Sequence, residues 1–222
     1  MQPLFSVPPG VTPEEAMRIQ NELSVSVIKQ DALSNNIALV AGIDVAYSKT
    51  DKHLCAGVVV IDNSTFETVE TCTFSGTSEF PYIPGLFAFR ELPPIVEAMK
   101  KLTCKPDIIV CDAHGIAHPR RFGLACHLGL LYNIPTIGCG KTLMVGSHHS
   151  MILSRGSHVS LIDKGEEIGY ALCTRDNVKP LFVSIGHRIS LPTAKEWILR
   201  LAYQYRQPEP IRRANQLVQS RL

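Results

Sequence analysis

The chain has 222 residues, 45% of them hydrophobic, and a formal net charge of only +2. That length supports a full hydrophobic core. The near-neutral balance excludes a polyanion binder that works through a global basic field, so any basic surface must come from local clusters. No apolar run approaches the roughly 18 residues of a membrane span, and no basic stretch followed by an apolar one marks the start. The cysteines, Cys55, Cys72, Cys104, Cys111, Cys126, Cys139 and Cys173, show no C-x-x-C spacing, and several lie inside apolar runs. They read as reduced core thiols. The expectation is a cytoplasmic protein without membrane contact, with residues 1–222 forming one domain.

Thr12-Pro13-Glu14-Glu15 is a capping box with proline in the first turn, so a helix should run to about Ile28 with Ala16, Ile19, Leu23 and Val27 on one face. Residues Ile37 to Tyr47 read as a strand in which Asp44 interrupts an otherwise apolar run. A carboxylate buried there is expensive without a cation partner; the competing role is a bulged or edge position facing water. Leu54–Asp62 and Thr65–Phe74 are two further strands around the turn Asp62-Asn63-Ser64, and such short connections imply an antiparallel meander. Gly76 to Pro84 breaks regular structure. Within it, Phe80-Pro81-Tyr82-Ile83-Pro84-Gly85 sets apolar and aromatic side chains on a proline-stiffened loop that suits a wedge for a base stack. The alternative is a structural loop whose Tyr82 and Ile83 pack inward.

Leu86–Arg90 leads to Glu91 and then Pro93-Pro94, where any helix should end or restart, continuing from Pro94 to Lys101. Asp107–Val110 reads as a strand buried on both faces, with Asp112 emerging just past its end. Pro119 is expected in a helix's first turn, followed by Phe122, Ala125, Cys126, Gly129 and Leu130 at helical spacing. That arrangement sets Asp112, His114 and two arginines beside a helix N-terminus, a crevice suited to anions. Pro135 to Lys141 is a strand ending in glycines and a lysine without the P-loop spacing, which excludes an NTPase. His148, His149 and His158 read as a solvated loop rather than a metal site. Val159–Ile162 and Gly169–Thr174 flank the hairpin signal Lys164-Gly165, and Leu181–Ile185 is a strand ended by Gly186-His187-Arg188. Thr193 begins a helix, and Pro208-Glu209-Pro210 separates it from a final basic, amphipathic one.

Asp44, Glu91 and Asp112, delivered by separate elements, form an oxygen-donor set suited to Mg²⁺ or Mn²⁺. Such a site suits phosphoryl transfer on a polyanion, with Arg120, Arg121, Lys141 and Arg188 to hold backbone phosphates.

Five ordered stretches go further: Gly42-Ile43-Asp44-Val45; Pro81-Tyr82-Ile83-Pro84-Gly85; Phe89-Arg90-Glu91; Asp112-Ala113-His114-Gly115-Ile116-Ala117-His118-Pro119-Arg120-Arg121; and Gly186-His187-Arg188. Motif by motif they resemble the endonuclease V family, from about the first helix to Pro208-Glu209-Pro210. The resemblance implies a ribonuclease H-like α/β fold, a mixed sheet with an antiparallel meander flanked by helices. It implies a Mg²⁺-dependent endonuclease, with Mn²⁺ able to substitute, that acts in DNA repair as a monomer. Its expected target is a deaminated base, chiefly hypoxanthine in inosine or deoxyinosine. The cut falls at the second phosphodiester bond 3′ to the lesion and leaves a 3′-hydroxyl and a 5′-phosphate. By that resemblance Asp44, Glu91 and Asp112 bind metal and catalyse. Pro81, Tyr82, Ile83 and Pro84 form the wedge, while His187, Lys141 and His118 lie near the scissile or neighbouring phosphates. The flipped base is expected in a pocket lined by main chain, which Gly85 and Gly115 would let approach closely.

Two positions depart from the family pattern: Ala113 replaces the usual glycine after the second Asp, and Cys139-Gly140 replaces the commoner Val-Ala. Two other functions compete. An endoribonuclease acting on inosine in RNA shares the chemistry, and a catalytically silent nucleic-acid-binding module shares only the wedge. Three costly carboxylates argue against the silent module.

Overall fold

The computed structural model describes residues 1–6, 8, 10–48 and 53–222. Strands Leu39–Tyr47 (β1), His53–Asp62 (β2) and Thr68–Thr77 (β3) form the expected antiparallel meander. The third strand starts later than the pattern suggests. The Asp62 carboxylate accepts the Ser64 and Thr65 N–H groups, and Phe66 takes a φ of 60°, so the turn consumes the residues expected to open the strand.

Strand Ile108–Cys111 (β4) lies parallel to β1 and is buried throughout. Asp107 sets its register: its carboxylate accepts the N–H groups of Ala38 and Leu39 at 2.8 and 2.9 Å, and its own N–H donates to Leu39 O. Thr136–Gly140 (β5) continues in parallel, and Leu181–His187 (β8), Glu166–Leu172 (β7) and His158–Asp163 (β6) complete the sheet in antiparallel fashion. The order is β3-β2-β1-β4-β5-β8-β7-β6, a mixed sheet of eight strands. Lys164 and Gly165, both at positive φ, close the β6–β7 hairpin as the sequence suggests.

Alternate residues of the central strands face opposite layers. Val40, Ile108, Val110 and Ile137 pack with the helices Leu191–Leu201 (α4) and Glu209–Gln219 (α5). Ala41, Ile43, Ile109 and Cys111 pack with Ala88–Lys100 (α2) and Leu124–Tyr132 (α3). The backbone of α5 lies so close to β1 that a Cβ on Gly42 would sit 2.1 Å from the Pro210 carbonyl carbon. All seven cysteines are free thiols, five of them buried. Among the described residues no helix is long and apolar enough to cross a membrane.

The remaining helix, Pro13–Ser24 (α1), has the expected capping box, with Thr12 and Glu15 bonding reciprocally, but stops short of Ile28. Two further expectations are corrected. Helix α2 runs straight through Pro93 and Pro94. Pro94 cannot donate to the Arg90 carbonyl, and the Ser78 hydroxyl does so instead at 3.4 Å. Pro119 does not open a helix: residues 112–123 form an irregular loop, Arg121 lies at φ 54°, and α3 starts only after Gly123.

Candidate active site

Parallel pairing of β1 and β4 places Ile43 beside Cys111, so Asp44, within β1, sits beside Asp112, which directly follows the last residue of β4. Glu91 reaches the same place from the first turn of α2, and Lys141 follows the last residue of β5. All four line one cavity of 230 Å³, whose apolar walls include Ile43, Ile95 and Leu124.

Each acid has a partner. Asp44 accepts from Asn215 Nδ2 at 2.7 Å, and Glu91 accepts from the Tyr47 hydroxyl at 2.9 Å. Asp112 pairs with the Lys141 ammonium and accepts from Gln207 Nε2 at 3.5 Å. Among the described residues no three His, Cys, Asp or Glu side chains converge as a ready-made metal cluster. The electrostatics still call for a cation. Burial, then repulsion from Asp112, pushes Asp44 up to about 6. Burial, with repulsion from Asp44 and Asp112, pushes Glu91 up to about 8, although the Tyr47 hydroxyl opposes the shift. Oxygen donors whose mutual repulsion is only partly offset by Lys141 are the donor set a hard divalent cation prefers, so the residues present fit such an ion.

Tyr82 stands out from its loop with 71% of its surface exposed, whereas Phe80 and Ile83 pack against Ala16, Leu86 and Phe89. The two readings of this loop therefore divide by residue: Ile83 points inward and Tyr82 outward. Pro81 and Pro84 are exposed on either side. The loop closes at Gly85, at φ +80°, whose carbonyl accepts from His118 Nε2 at 2.8 Å and Arg120 Nη2 at 2.7 Å. His118 is buried and held neutral, its pKa pushed down to about 4 chiefly by desolvation.

Other expected site residues sit elsewhere. Strand β8 runs antiparallel to β5, so His187 pairs with Thr136 at the opposite end of the sheet from Lys141, about 16 Å away at roughly 3.3 Å per residue. There its Nδ1 accepts the Ile28 N–H, and Arg188 donates to Asn133 and Ile28. His187 and Arg188 therefore anchor the segment after α1 instead of facing the carboxylates. Arg121 is engaged with Asp163 and Glu166, both at 2.7 Å. The anion crevice is not formed as expected either: Gly123 and Ala125, at the start of α3, donate to Gly115 O and His114 O. Gly115 is required by packing, since a Cβ there would lie 1.9 Å from Ile185 O. A Cβ on Gly140 would meet the His114 ring at 2.5 Å, so this departure makes room for the imidazole. Ala113 is buried against the α2–α3 layer.

The sequence pattern passed over Tyr47, Gln207 and Asn215. Asn215 left a signal: with Ile211, Ala214 and Val218 it follows the i, i+3, i+4, i+7 stripe of α5, a polar residue on a buried face.

Acidic side chains and a lysine lining one cavity at the central strands of a mixed sheet, together with an exposed aromatic on a stiff loop, suit a metal-dependent nuclease. Comparison with known proteins agrees. Residues 21–216 match the family model Endonuclease V, and the chain belongs to the endonuclease V family. It is 46% identical to Endonuclease V of Trichormus variabilis over 95% of this chain and 96% of the relative. The crystal structure of Endonuclease V from Streptomyces avermitilis superposes with a TM-score of 0.90 at 43% identity, covering 97% of this chain and 96% of that one. A Ciona intestinalis Endonuclease V, 29% identical with a TM-score of 0.82 and covering 94% and 96%, was crystallised with a 24mer DNA containing an inosine followed by a ribo-adenosine. The fold is ribonuclease H-like, the chain is an endonuclease, and its family implies a requirement for a divalent metal.

Proposed function

We propose that this endonuclease acts in DNA repair on strands containing deoxyinosine, cutting the second phosphodiester bond 3′ to the lesion and leaving a 3′-hydroxyl and a 5′-phosphate. The observation that carries the reading is the junction of two features: a cavity lined by Asp44, Glu91, Asp112 and Lys141, and a loop that exposes Tyr82. Asp44, Glu91 and Asp112 would hold Mg²⁺, with Mn²⁺ able to substitute. When bound, the ion supplies Lewis acidity and offsets phosphate charge. Lys141, ion-paired with Asp112 in the free protein, is released to a phosphate once that carboxylate is otherwise engaged. Tyr47 and Asn215 fix the orientation of Glu91 and Asp44. Tyr82 fills the space that the lesion leaves in the stack, and the hydrogen bonds on Gly85 anchor the end of its loop. One sheet runs from the meander to the β6–β7 hairpin, which supports residues 1–222 acting as one nuclease domain. Seven free thiols support a reducing compartment such as the cytoplasm.

A second reading, cleavage of inosine in RNA, is favoured by one observation: the Ciona relative's DNA carries a ribonucleotide directly after its inosine. A protein that reads the flipped base need not reject a 2′-hydroxyl. Matched DNA and RNA strands with one central inosine, compared for initial cleavage rate in Mg²⁺, choose between the two. Faster cutting of DNA supports repair, and faster cutting of RNA replaces it with RNA processing.

A further inference from the structure

A polar side chain lies where the packing of α1 calls for an apolar one. Gln20 shares the stripe of Ala16, Ile19 and Leu23, and none of its surface is exposed. Such a side chain is costly to bury unless its polar atoms are satisfied, and all of them are used. Its Nε2 donates to Gly85 O at 3.1 Å and to Phe122 O at 3.0 Å, and its Oε1 accepts from Arg120 Nε at 2.6 Å. The Gly85 carbonyl also accepts from His118 Nε2 and Arg120 Nη2. The Arg120 N–H donates to His118 Nδ1, which fixes the tautomer that donates from Nε2. Three donors thus converge on one carbonyl that has two lone pairs.

We infer that Gln20 is a positioning residue for lesion recognition, latching the Tyr82 loop to the segment that begins with Asp112. The inference rests on the reading of Tyr82 given above. Loop closure alone would need one of these bonds, and the apolar contacts of Phe80 and Ile83 already bury the loop's inner side. Apolar contact is non-directional and leaves the loop free to shift along its seat. Directional bonds to Gly85, three residues beyond Tyr82, fix where the aromatic ring stands relative to the carboxylates. Because the latch joins α1, the loop and residues 118–122, it carries the order of the core to an exposed side chain. Gln20 touches no substrate in this arrangement; it acts through Gly85.

The test is Gln20→Met, which keeps length and volume but removes every polar contact. Binding of single strands with and without inosine is measured in chelator, and steady-state cleavage in Mg²⁺. The expected result is an inosine preference reduced by about 10- to 100-fold, the loss set by two to three hydrogen bonds at about tenfold per 1.4 kcal/mol. Binding to the undamaged strand stays unchanged, KM for the inosine strand rises, and kcat stays within about threefold. A merely structural glutamine would lower the melting temperature and leave the preference and the KM-to-kcat split as in the wild type. An unchanged preference in a folded variant overturns the inference. Should Gln20→Met fail to fold, Gln20→Glu keeps the acceptor for Arg120 Nε but removes both bonds donated to Gly85 O and Phe122 O, and it is held to the same outcome. Amide hydrogen exchange over residues 80–89 separates this inference from the proposed function. If the wild type shows no inosine preference, the proposed function fails. Faster exchange of that loop in Gln20→Met still supports the latch, and unchanged exchange overturns it.

Discussion

His127 offers a test that needs no substrate. It lies on α3 with none of its surface accessible, its ring between Phe89 at 5.4 Å and Phe122 at 5.1 Å. Neither ring nitrogen has a hydrogen-bond partner among the described residues, and burial alone pushes its pKa down to about 4. An unfolded histidine titrates near 6.5, so between about pH 6.5 and 4 the unfolded chain takes up a proton that the folded chain refuses. Stability is full above that window and falls as pH drops through it. At pH 4.5 His127 alone removes about 2–3 kcal/mol, at about 1.36 kcal/mol per pH unit. For a chain of this size that lowers the melting temperature by roughly 5–10 °C. His118 and His187, also pushed down to about 4, steepen the same limb. The informative experiment compares thermal melts of the wild type and His127→Leu at pH 7.5 and pH 4.5. The variant should lose less on acidification by roughly 5–10 °C, while at pH 7.5 it melts no lower, because two unsatisfied nitrogens leave the core. Equal losses in both proteins would refute the claim that a buried neutral imidazole controls the acid limb.

Other outcomes follow from the site. Asp44→Asn and Asp112→Asn should each lower cleavage of an inosine strand by at least about 10³-fold while circular dichroism and melting stay near wild type, since neither change opens a cavity. Tyr82→Ala should weaken binding to an inosine strand about 10-fold or more and leave undamaged-strand binding unchanged; equal losses on both strands would make Tyr82 a general contact. Tyr47→Phe should cut kcat about 10-fold with little change in melting, because Glu91 loses the hydroxyl that orients it. Gly42→Ala should cost about 3 kcal/mol by calorimetry, since the new methyl meets the α5 backbone, and should lower activity as Asn215 shifts from Asp44.

Much of the architecture was legible because it rests on local chemistry. Period-two alternation and tight turns announce the meander, unbroken β-branched runs announce the central strands, and Lys164-Gly165 announces a hairpin. What misled was chemistry supplied from a distance. The prolines of α2 forecast a break, yet Ser78, from another segment, covers the carbonyl that Pro94 leaves unbonded. Pro119 forecast a helix start, but the first amides of α3 were claimed by carbonyls of the preceding loop.

The candidate site divides the same way. Asp44 was legible because an acid in an apolar strand is rare and costly, and Asp112 because it follows a buried strand directly, whereas Glu91 on α2 stood out only in company with them. The basic residues were not, since an arginine in sequence does not show whether its charge is already paired. Arg121 is held by Asp163 and Glu166 from the β6–β7 hairpin. His187 misled through strand direction: a histidine at a strand's end reaches the site only if that strand runs parallel to the others, and β8 does not. Gln20 and Asn215 were visible in outline as polar residues on buried helical stripes, but their partners lie 65 and 171 residues away in sequence.

The central claim is that the cavity of Asp44, Glu91, Asp112 and Lys141 is a cation-dependent centre that cuts beside inosine. The most direct measurement is the product map of an end-labelled single strand carrying one inosine, incubated with the wild type or Asp112→Asn, in Mg²⁺ or in chelator. One product is expected, ending at the second phosphodiester bond 3′ to the inosine, present only with wild type and Mg²⁺ and absent from the unmodified strand. The same product in chelator or from Asp112→Asn, or equal cutting of the unmodified strand, would contradict it.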